Sequence, residues 1–442
     1  MDVIWWECRS EYEVENAVMA ERVVVVGAGA VGAAIALEAQ ARGLAVTLVE
    51  PGPPGGDQAA SFGNAAWISL QSVIPPSEPG VWKKIPGYLL DPLGPLAIRP
   101  LHMPGIAPWL LRYMAAGWTP ARIARIARIL RPLLAEAPDL HRALAREAGV
   151  PELIAGGGLM HVWKDRAGFE AEATTWGVRR AVGIEWDEVE GEALRALQPD
   201  LSPDYRFAVR VGDSAHCRDP GGYVAALVAH AERRGAGVVK ARAVDFTFSG
   251  GRLTGVVTEA GTLPAERAVI AAGIRSTDLA VRLGLRVPME SERGYHVQFE
   301  GLDLGPVPPV MIQDRKVAIT RLATGLRVAG QVELAGIDAR ANWRRADVLK
   351  THLLAVFPGL AEAIRSARAV PWLGHRPSTP DGRPVIGRSP HPDVLVAYGH
   401  GHIGLASAPR TGRIVADLLV GRAPEIPLDG FSPARFDGFG GI

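Results

Sequence analysis

The chain has 442 residues, 48% of them hydrophobic and 21% charged, which favours two domains with packed cores over a disordered chain. With 48 Lys and Arg against 47 Asp and Glu, the net charge of +1 gives no reason to expect a nucleic acid as partner. Two cysteines, Cys8 and Cys217, are too few for a disulfide framework or a metal cluster, so a reduced cytoplasmic setting fits best and Cys217 is expected to be a small core residue.

The first residues are expected to be an extension of the folded chain. Residues 1–18 lack the basic start and the apolar centre of a secretory signal. They fit no structural pattern, so residues 1–19 are interpreted as an N-terminal extension, with Met19 as a second candidate for the natural start. The apolar run from Val23 to Leu37 is too short to span a bilayer, and the protein is not expected to be integral to a membrane.

Residues 22–50 predict a strand, a glycine turn, a helix and a second strand. Arg22–Val26 is a β-branched run of the kind that is buried on both faces of a parallel sheet. Ala30–Arg42 has the composition of a helix, and Gly43 ends it. Ala45–Val49 is then the next strand.

The turn between the first strand and the helix carries the motif G-x-G-x-x-G. Gly27 permits the tight turn, Gly29 lets a pyrophosphate approach the backbone, and Gly32 lets the helix pack close to the strand. The free amides that follow, at Ala30 and Val31, face the diphosphate at the positive end of the helix. The motif therefore predicts a dinucleotide site.

Glu50, at the end of the second strand, is expected to bind the adenosine ribose. It follows the last glycine at close to the spacing of about 20 residues that a ribose-binding acid has in this motif. An acid at this position argues against a 2′-phosphate and hence against NADP.

The next stretch is less regular. Residues 51–105 are rich in Pro and Gly and predict long loops with short helices, whereas residues 106–150 predict helices that prolines interrupt. The interrupting prolines are Pro120, Pro132 and Pro138. Arginine recurs at every third position from Arg122 to Arg131, interleaved with isoleucine. One interpretation is a basic amphipathic helix in peripheral contact with the inner face of an anionic membrane. A solvated face of a surface helix is the interpretation we favour, because Pro132 cuts the stripe short.

The rest of the chain alternates between helix and strand. The predicted helices are 222–234, 345–357 and Ser407–Val420, and the predicted strands are Val238–Phe246, Arg252–Thr258, Ala268–Ala272, Val317–Thr320, Leu326–Leu334 and Val394–Tyr398. The α/β character lies at the start, in the 220s to 270s and at the end, with helical and antiparallel stretches between. This pattern predicts an α/β fold whose nucleotide-binding domain is built from separated segments, with a second domain inserted into it.

FAD is favoured over NAD as the nucleotide. No second G-x-G-x-x-G occurs, and the chain closes with a strand, a glycine loop over Gly399–Gly404 and a helix. Hydride transfer leaves negative charge on the N1–C2=O edge of a reduced flavin, which a second helix N-terminus stabilises, whereas a reduced nicotinamide needs no such device. His400 and His402 have no third ligand at metal spacing, so no metal is expected. They are expected to line the flavin or substrate pocket or to satisfy local hydrogen bonds.

Four segments resemble the D-amino-acid oxidase superfamily of flavoproteins, and within it the bacterial D-amino-acid dehydrogenases, including those acting on D-proline or D-hydroxyproline. The segments are Gly27–Glu50, Ala60–Ser69 with Gly94–Pro100, Gly325–Gly330 with Glu333, and Gly374–Gly387 leading into Gly399–Gly404. The second is the most specific to the dehydrogenase branch. The resemblance extends from residue 22 to residue 425, nearly the whole chain.

The resemblance implies a Rossmann-like FAD-binding domain that is discontinuous in sequence and a substrate domain on a mixed antiparallel sheet. The boundaries we assign are 20–75, 200–285 and 370–425 for the FAD-binding domain, 76–199 and 286–369 for the substrate domain, and 426–442 for a C-terminal tail. Some members attach the flavin covalently through a cysteine in the late segments. Neither cysteine of this chain lies there, so FAD is expected to be noncovalent.

The resemblance also implies the reaction, which is oxidation of a small D-amino or cyclic imino acid by hydride transfer from the α-carbon to flavin N5. The electrons pass to a quinone, a carrier or oxygen. Alternatives are a sarcosine- or glycine-type amine oxidase, a flavin-binding subunit without its own turnover, and an NAD-dependent dehydrogenase. The substrate side chain, the electron acceptor and the oligomeric state stay open.

Arg376 is the residue that the resemblance assigns to the substrate carboxylate, and its planar guanidinium suits that role. The alternative is a structural ion pair with Asp381. Tyr295 and His296 are weaker candidates for the pocket wall, and Arg321 would hold a second carboxylate if it faced the pocket. His400 is the fourth candidate catalytic residue, beside Arg376, Tyr295 and His296. Beyond the first glycine turn and Glu50, the expected FAD contacts are Ser61, Asn64, Val244, Ala272, Gly273, Gly401, His402, Ile403 and Gly404.

Overall fold

The computed structural model describes residues 20–77, 87, 91 and 93–437. Cys8 and the extension expected at residues 1–19 lie outside the described residues. The strands are β1 (Arg22–Val26), β2 (Ala45–Val49), β3 (Trp67–Ile68), β4 (Leu96–Ile98), β5 (Ile154–Ala155), β6 (Leu159–Trp163), β7 (Asp187–Glu190), β8 (Phe207–Val211), β9 (Ala215–Cys217), β10 (Gly237–Val239), β11 (Ala243–Ser249), β12 (Arg252–Thr258), β13 (Gly261–Pro264), β14 (Arg267–Ile270), β15 (Glu290–Glu300), β16 (Val310–Ile312), β17 (Val317–Leu322), β18 (Gly325–Leu334), β19 (Ala369–Ser378), β20 (Val385–Arg388) and β21 (Val394–Tyr398). The α-helices are α1 (Ala30–Gln40), α2 (Met103–Ala116), α3 (Pro120–Leu134), α4 (Ala137–Ala148), α5 (Arg166–Glu170), α6 (Ala173–Ala181), α7 (Gly191–Leu197), α8 (Pro220–Arg233), α9 (Ser276–Ala280), α10 (Arg344–Val356), α11 (Ala361–Ser366) and α12 (Gly404–Leu419).

The first sheet has the order β10-β2-β1-β14-β21-β20. Its first five strands are parallel, and β20 is an antiparallel edge. Val23 and Val25 of β1 join the core beneath α1, whereas Val24 and Val26 pack on the other face with residues of β12. Burial on both faces explains why β1 is a continuous run of valines. Helix α1 packs against α12 and α8.

A larger sheet has the order β19-β15-β18-β17-β16-β6-β8-β7, with β4 pairing beside β18. The long strands β19, β15 and β18 are antiparallel, and their register places Glu292 opposite Arg376 and Gly294 opposite Gly374. Helix α10 packs on β15 and β18, with Leu349 and Leu353 fully buried in the core of this sheet. The α/β fold class with a mixed sheet in the second part is confirmed.

Two strands pair across the domain boundaries expected from the sequence. Phe207–Val211 and Ala369–Ser378 both lie in the larger sheet, although the expected division gave the first strand, and the second from residue 370 onward, to the FAD-binding part. A second difference concerns Val238–Phe246, which was expected as one strand. The chain leaves the first sheet after Val239, and a new strand begins at Ala243 in the three-stranded sheet β11-β12-β13.

Helix α3 carries the arginine stripe. Ile123 and Ile126 are buried in the core, and Arg122 and Arg125 are on the exposed side. Pro132 lies inside the helix, which continues to Leu134, so the expected break there is wrong. The apolar side of α3 packs in the protein core, and Arg122 and Arg125 face solvent, which agrees with the interpretation as a surface helix with a solvated face. None of the helices within the described ranges combines the length and apolar composition needed to cross a bilayer.

Candidate active site

A cavity of about 1000 Å³ opens between the carboxyl ends of the parallel strands and one face of the larger sheet. Its walls come from the turns after β1, β2, β14 and β21, and from β15, β16, β18 and β19. Ligands of open parallel sheets bind at this carboxyl edge. The volume is at the upper end for small-molecule sites, so the cavity has room for a ligand larger than an amino acid alone.

The turn after β1 needs its glycines for space. Gly27 has φ +107°, and a Cβ there would meet the carbonyl oxygen of Ala271. A Cβ on Gly32 would meet the carbonyl oxygen of Gly27, so α1 packs directly on the turn. A Cβ on Gly29 would lie 3.2 Å from Ser61 Oγ on the cavity side. Gly29 provides no side-chain cap for α1, and the first turn of the helix has no acidic residue. Gly29, Ala30 and Val31 line the cavity, so the positive end of the helix faces it.

Glu50 lies in the cavity wall at the end of β2. Its Oε2 accepts a hydrogen bond from the Ala28 amide at 2.9 Å, and Gln58 Nε2 donates to its Oε1 at 3.4 Å. The Ala30 amide donates to Ser61 Oγ at 3.3 Å. A carboxylate fixed beside a glycine turn and an uncapped helix start fits a ribose and a diphosphate.

A second helix start reaches the cavity from the other end of the chain. Ile403 provides no side-chain cap for α12, whose first turn contains no acidic residue. His400, Gly401, His402 and Gly404 line the cavity, whereas Ile403 is buried in the core. His400 Nε2 lies 3.3 Å from Thr411 Oγ1, and burial lowers the pKa of His400 to about 3. His400 is therefore a neutral group in the cavity wall at physiological pH.

The larger sheet holds the loop that carries Ser61 and Asn64. Arg327 Nη1 donates to the carbonyl oxygens of Phe62 at 3.0 Å and Asn64 at 2.9 Å. Trp372 Nε1 donates to the carbonyl oxygen of Asp57 at 2.9 Å. Contacts from two strands thus fix the loop against the cavity.

Arg376, on β19, reaches the cavity across the neighbouring strand. Its guanidinium lies over the backbone of Gly294, where a Cβ would be 2.5 Å from Cζ and both terminal nitrogens. Nη1 is buried and has no hydrogen-bond partner within the described part of the chain. Burial lowers the pKa of Arg376, and Glu292 opposes that effect. Asp381 pairs instead with Arg383 at 2.7 Å and Arg435 at 3.0 Å, so the alternative ion pair with Arg376 is wrong.

Glu292 and His402 form a pair beside Arg376. Glu292 Oε2 lies 3.3 Å from His402 Nε2, and the Glu292 side chain is 4% exposed. The cavity walls desolvate the imidazole, which lowers the pKa of His402, with Glu292 opposing and Arg376 adding to the effect. The charges of Arg376 and Glu292 are thus of opposite sign at one end of the cavity.

Tyr295 and His296 do not line the cavity. Tyr295 points to the opposite face of β15 from Gly294, and its hydroxyl donates to Glu333 Oε2 at 2.7 Å and accepts from the Asn342 amide. His296 is covered by the Trp372 ring at 4.9 Å, and its Nδ1 donates to the Gly63 carbonyl oxygen at 2.9 Å. The structure therefore corrects their expected place in the pocket wall.

Two other side chains also lie away from the cavity. Arg321 is paired with Asp303 at 2.6 Å, so it offers no second carboxylate site there. Cys217 is buried in the core, as expected, and burial raises the pKa of its thiol to about 12. Within the described ranges no group of three His, Cys, Asp or Glu side chains could hold a metal ion.

Most of the expected site residues meet in the cavity wall: Gly27, Gly29, Ala30, Val31, Glu50, Ser61, Asn64, Val244, Ala272, Gly273, Arg376, His400, Gly401, His402 and Gly404. Gly32 packs behind it. The wall also contains residues that the sequence did not single out, among them Gln331, Trp372, Met311 and Lys316. Of these, only Gln331 stood in a strand predicted from the sequence, and which face of a strand a residue occupies depends on pairing with strands far along the chain.

The comparisons with known proteins agree with this arrangement. Over 415 residues the chain is 51% identical to a D-amino-acid oxidase of Bradyrhizobium diazoefficiens, covering 94% of this chain and 98% of that protein. It is 33% identical over 416 residues to a D-amino acid dehydrogenase of Cereibacter sphaeroides, covering 92% and 93%. The structure of glycine oxidase from Geobacillus kaustophilus has the same fold, with a TM-score of 0.69, 23% identity, and coverage of 95% of this chain and 100% of that chain.

The family model of the FAD dependent oxidoreductases called DAO matches residues 22–418. That range contains both glycine loops, Glu50 and Arg376. The chain therefore belongs to the DAO family of FAD dependent oxidoreductases.

Proposed function

We propose that this protein oxidises a small D-amino acid or cyclic imino acid with noncovalently bound FAD. The observation that carries the proposal is the guanidinium of Arg376, which is buried in the cavity wall with Nη1 unpaired among the described residues. A buried cation of this kind is costly unless it meets an anion, and the carboxylate of an amino acid supplies one. The identity of 51% to a D-amino-acid oxidase supports the choice of substrate class and chirality.

In this proposal the first sheet and its helices bind FAD, and the larger sheet binds the substrate. The amides at the start of α1 hold the diphosphate, Glu50 holds the ribose, and the uncapped start of α12 faces the flavin ring. The larger sheet covers the substrate end and supplies Arg376. FAD, when bound, provides the acceptor for the α-hydrogen, which leaves as a hydride.

Arg376 orients the substrate, and the neighbouring pair receives the proton of its amine. An amino acid arrives at neutral pH mainly as an ammonium, which must lose a proton before a hydride can leave. His402 lies in the cavity wall, its pKa is lowered from the usual value by desolvation, and its Nε2 is 3.3 Å from Glu292 Oε2. It is therefore placed to accept that proton.

The expected electron acceptor is oxygen. The relative at 51% identity is named an oxidase, whereas those named dehydrogenases are more distant, at about 33% and below. A quinone or a protein carrier is the alternative.

The test is an anaerobic titration of the purified yellow protein with D- and L-amino acids, D-proline, hydroxyproline isomers, sarcosine and glycine. Bleaching of the flavin absorbance by D-amino or D-imino acids is the expected result. Readmission of air then restores the colour within seconds if oxygen is the acceptor. A yellow protein that none of these compounds bleaches would refute the proposed function.

Substitution of Arg376 gives the first prediction. R376M should lower kcat/KM by roughly 100-fold or more, because two charge-assisted hydrogen bonds to the carboxylate are lost. Its Tm should stay the same or rise, since a buried cation with an unpaired nitrogen is removed. The matched control is R365M, which changes an exposed arginine of α11. A lower Tm together with an unchanged KM would show that Arg376 is a structural residue.

A further inference from the structure

The pairing of β15 with β18 contains a bulge at the cavity wall. Gly294 is opposite Val332 and Tyr295 is opposite Gly330, so Gln331 is an extra residue on β18. Its φ of +61° is in the left-handed region, which glutamine seldom adopts. Bulges and strained residues recur beside active sites, where they redirect a side chain.

The Gln331 side chain is buried in the wall of the cavity. The residue is 3% exposed, and its Oε1 has no hydrogen-bond partner among the residues the structure describes. A buried amide oxygen without a partner is unfavourable. The strain and the unpaired oxygen at one residue together indicate a ligand that donates a hydrogen bond to it.

Gln331 and Arg376 meet at Gly294. The bulge faces Gly294 from one neighbouring strand, and the guanidinium lies over Gly294 from the other neighbouring strand. Adjacent strands are about 4.8 Å apart, so the two groups flank one small patch of the cavity wall. An α-amino acid carries a carboxylate and an amine on the same carbon, at a separation that suits this patch.

We propose that Gln331 is a substrate-binding residue whose Oε1 accepts a hydrogen bond from the amine of the substrate while Arg376 binds the carboxylate. This inference rests on the proposed function. An amide oxygen accepts hydrogen bonds, so it recognises an N–H donor and not a carboxylate. Two-point binding leaves the α-carbon with a fixed orientation, which is what hydride transfer requires.

The test compares two ligands of wild-type protein and of variants, each in the FAD-bound form. One is the D-amino acid that bleaches the wild type fastest, and the other is the carboxylic acid with the same carbon skeleton and no amine. The dissociation constant of the acid is measured from the change it causes in the flavin spectrum, and that of the amino acid from anaerobic rapid-mixing kinetics. The wild type must first be bleached, and if no amino acid does so, the proposed function fails together with this inference.

Two variants remove the amide. Q331L keeps the volume, and Q331G suits the left-handed backbone, so Q331G tests the proposal even if Q331L fails to fold. Both should raise the dissociation constant of the amino acid by about tenfold, the loss of one hydrogen bond, and change that of the carboxylic acid by less than about twofold. R376M should raise the dissociation constants of both the amino acid and the carboxylic acid. The proposed role of Gln331 would be overturned if both Gln331 variants raised the dissociation constants of the two ligands equally, or changed neither. The proposed function would stand in either case.

Discussion

At the scale of single residues, the site depends on Gly294 as much as on the charged groups. The guanidinium of Arg376 occupies the place of a side chain on Gly294, with a Cβ position 2.5 Å from it. In G294A the methyl group would push the flexible end of Arg376 aside, while the strand itself can stay in place. We expect KM for the amino acid to rise by roughly 10- to 100-fold, since charge-assisted hydrogen bonds are misaligned.

Steady-state kinetics and a thermal scan of G294A check this prediction. The matched control is G237A, also in a strand, where the new Cβ would meet Thr47 Oγ1 at an ordinary 3.4 Å. G237A should keep the KM of the wild type. If G294A shows normal KM, Arg376 has a second arrangement that binds the carboxylate equally well.

Some residues of the cavity wall could be predicted from the sequence and others could not. Arg376 and Glu50 stand in segments with a chemical pattern, and both lie in the cavity wall. Gln331 could not be found in this way, because a bulge is a property of two strands whose paired residues are far apart in the chain. Tyr295 was misplaced because adjacent residues of a strand point to opposite faces, and the choice of face depends on the partner strands.

At the scale of elements, the two helices that present their N-termini to the cavity are packed on each other. A Cβ on Gly412 of α12 would lie 2.8 Å from the backbone carbon and oxygen of Ala34 in α1. Backbone atoms cannot move aside as a side chain end can, so G412A should separate α1 from α12. We expect a loss of about 1–3 kcal/mol in the free energy of unfolding and a weaker hold on FAD.

Urea unfolding of the FAD-bound protein and the dissociation constant of FAD measure both effects. G177A is the control, since Gly177 is an exposed position of α6 with nothing within 4 Å of the new Cβ. It should stabilise the protein by about 0.5–1 kcal/mol, because alanine favours a helix more than glycine does. A stable G412A with unchanged FAD affinity would mean that the helices are not held at this contact.

Two strands show which element bounds can be predicted from the sequence and which cannot. The strand Val394–Tyr398 was predicted with its observed bounds, because an apolar run of this length between turn residues suits a buried strand and is too short for a typical helix. The run Val238–Phe246 divides because Ala241 and Arg242 lie between two sheets, and the composition on both sides favours strand equally. Periodicity identifies a strand, but it does not identify the sheet that receives it.

At the scale of the whole molecule, the fold buries neutral histidines at several junctions. Burial lowers the pKa of His141 to about 4, and that of His296 to about 3. Burial and the nearby Arg218 lower the pKa of His216 to about 4. His141 of α4 connects to two further helices, with Nδ1 2.9 Å from Tyr223 Oη in α8 and Nε2 2.9 Å from the carbonyl oxygen of Leu405 in α12. Protonation would therefore disrupt contacts between elements.

The sign of the resulting pH dependence follows from these pKa values. Each histidine has a folded-state pKa below the usual 6.5, so the unfolded chain binds more protons than the folded chain when the pH falls below 6.5. The stability is fully present above that pH and is lost as the pH falls towards 4. Each group contributes a slope of up to about 1.4 kcal/mol per pH unit. The Tm should thus be level from pH 7 to 8 and fall steeply between pH 6.5 and 5, above the usual range of carboxyl groups.

The contribution of His216 to this pH dependence can be measured separately, because its Nδ1 is buried without a hydrogen-bond partner among the described residues and a substitution removes no hydrogen bond there. In H216F the ring keeps much of its shape and cannot take up a proton. The slope of unfolding free energy against pH between 6.5 and 5 should therefore be smaller than in the wild type by up to about 1.4 kcal/mol per unit, with stability at pH 8 little changed. Urea unfolding at several pH values provides the slope. If H216F unfolds with the slope of the wild type, protonation of His216 does not contribute to the acid sensitivity.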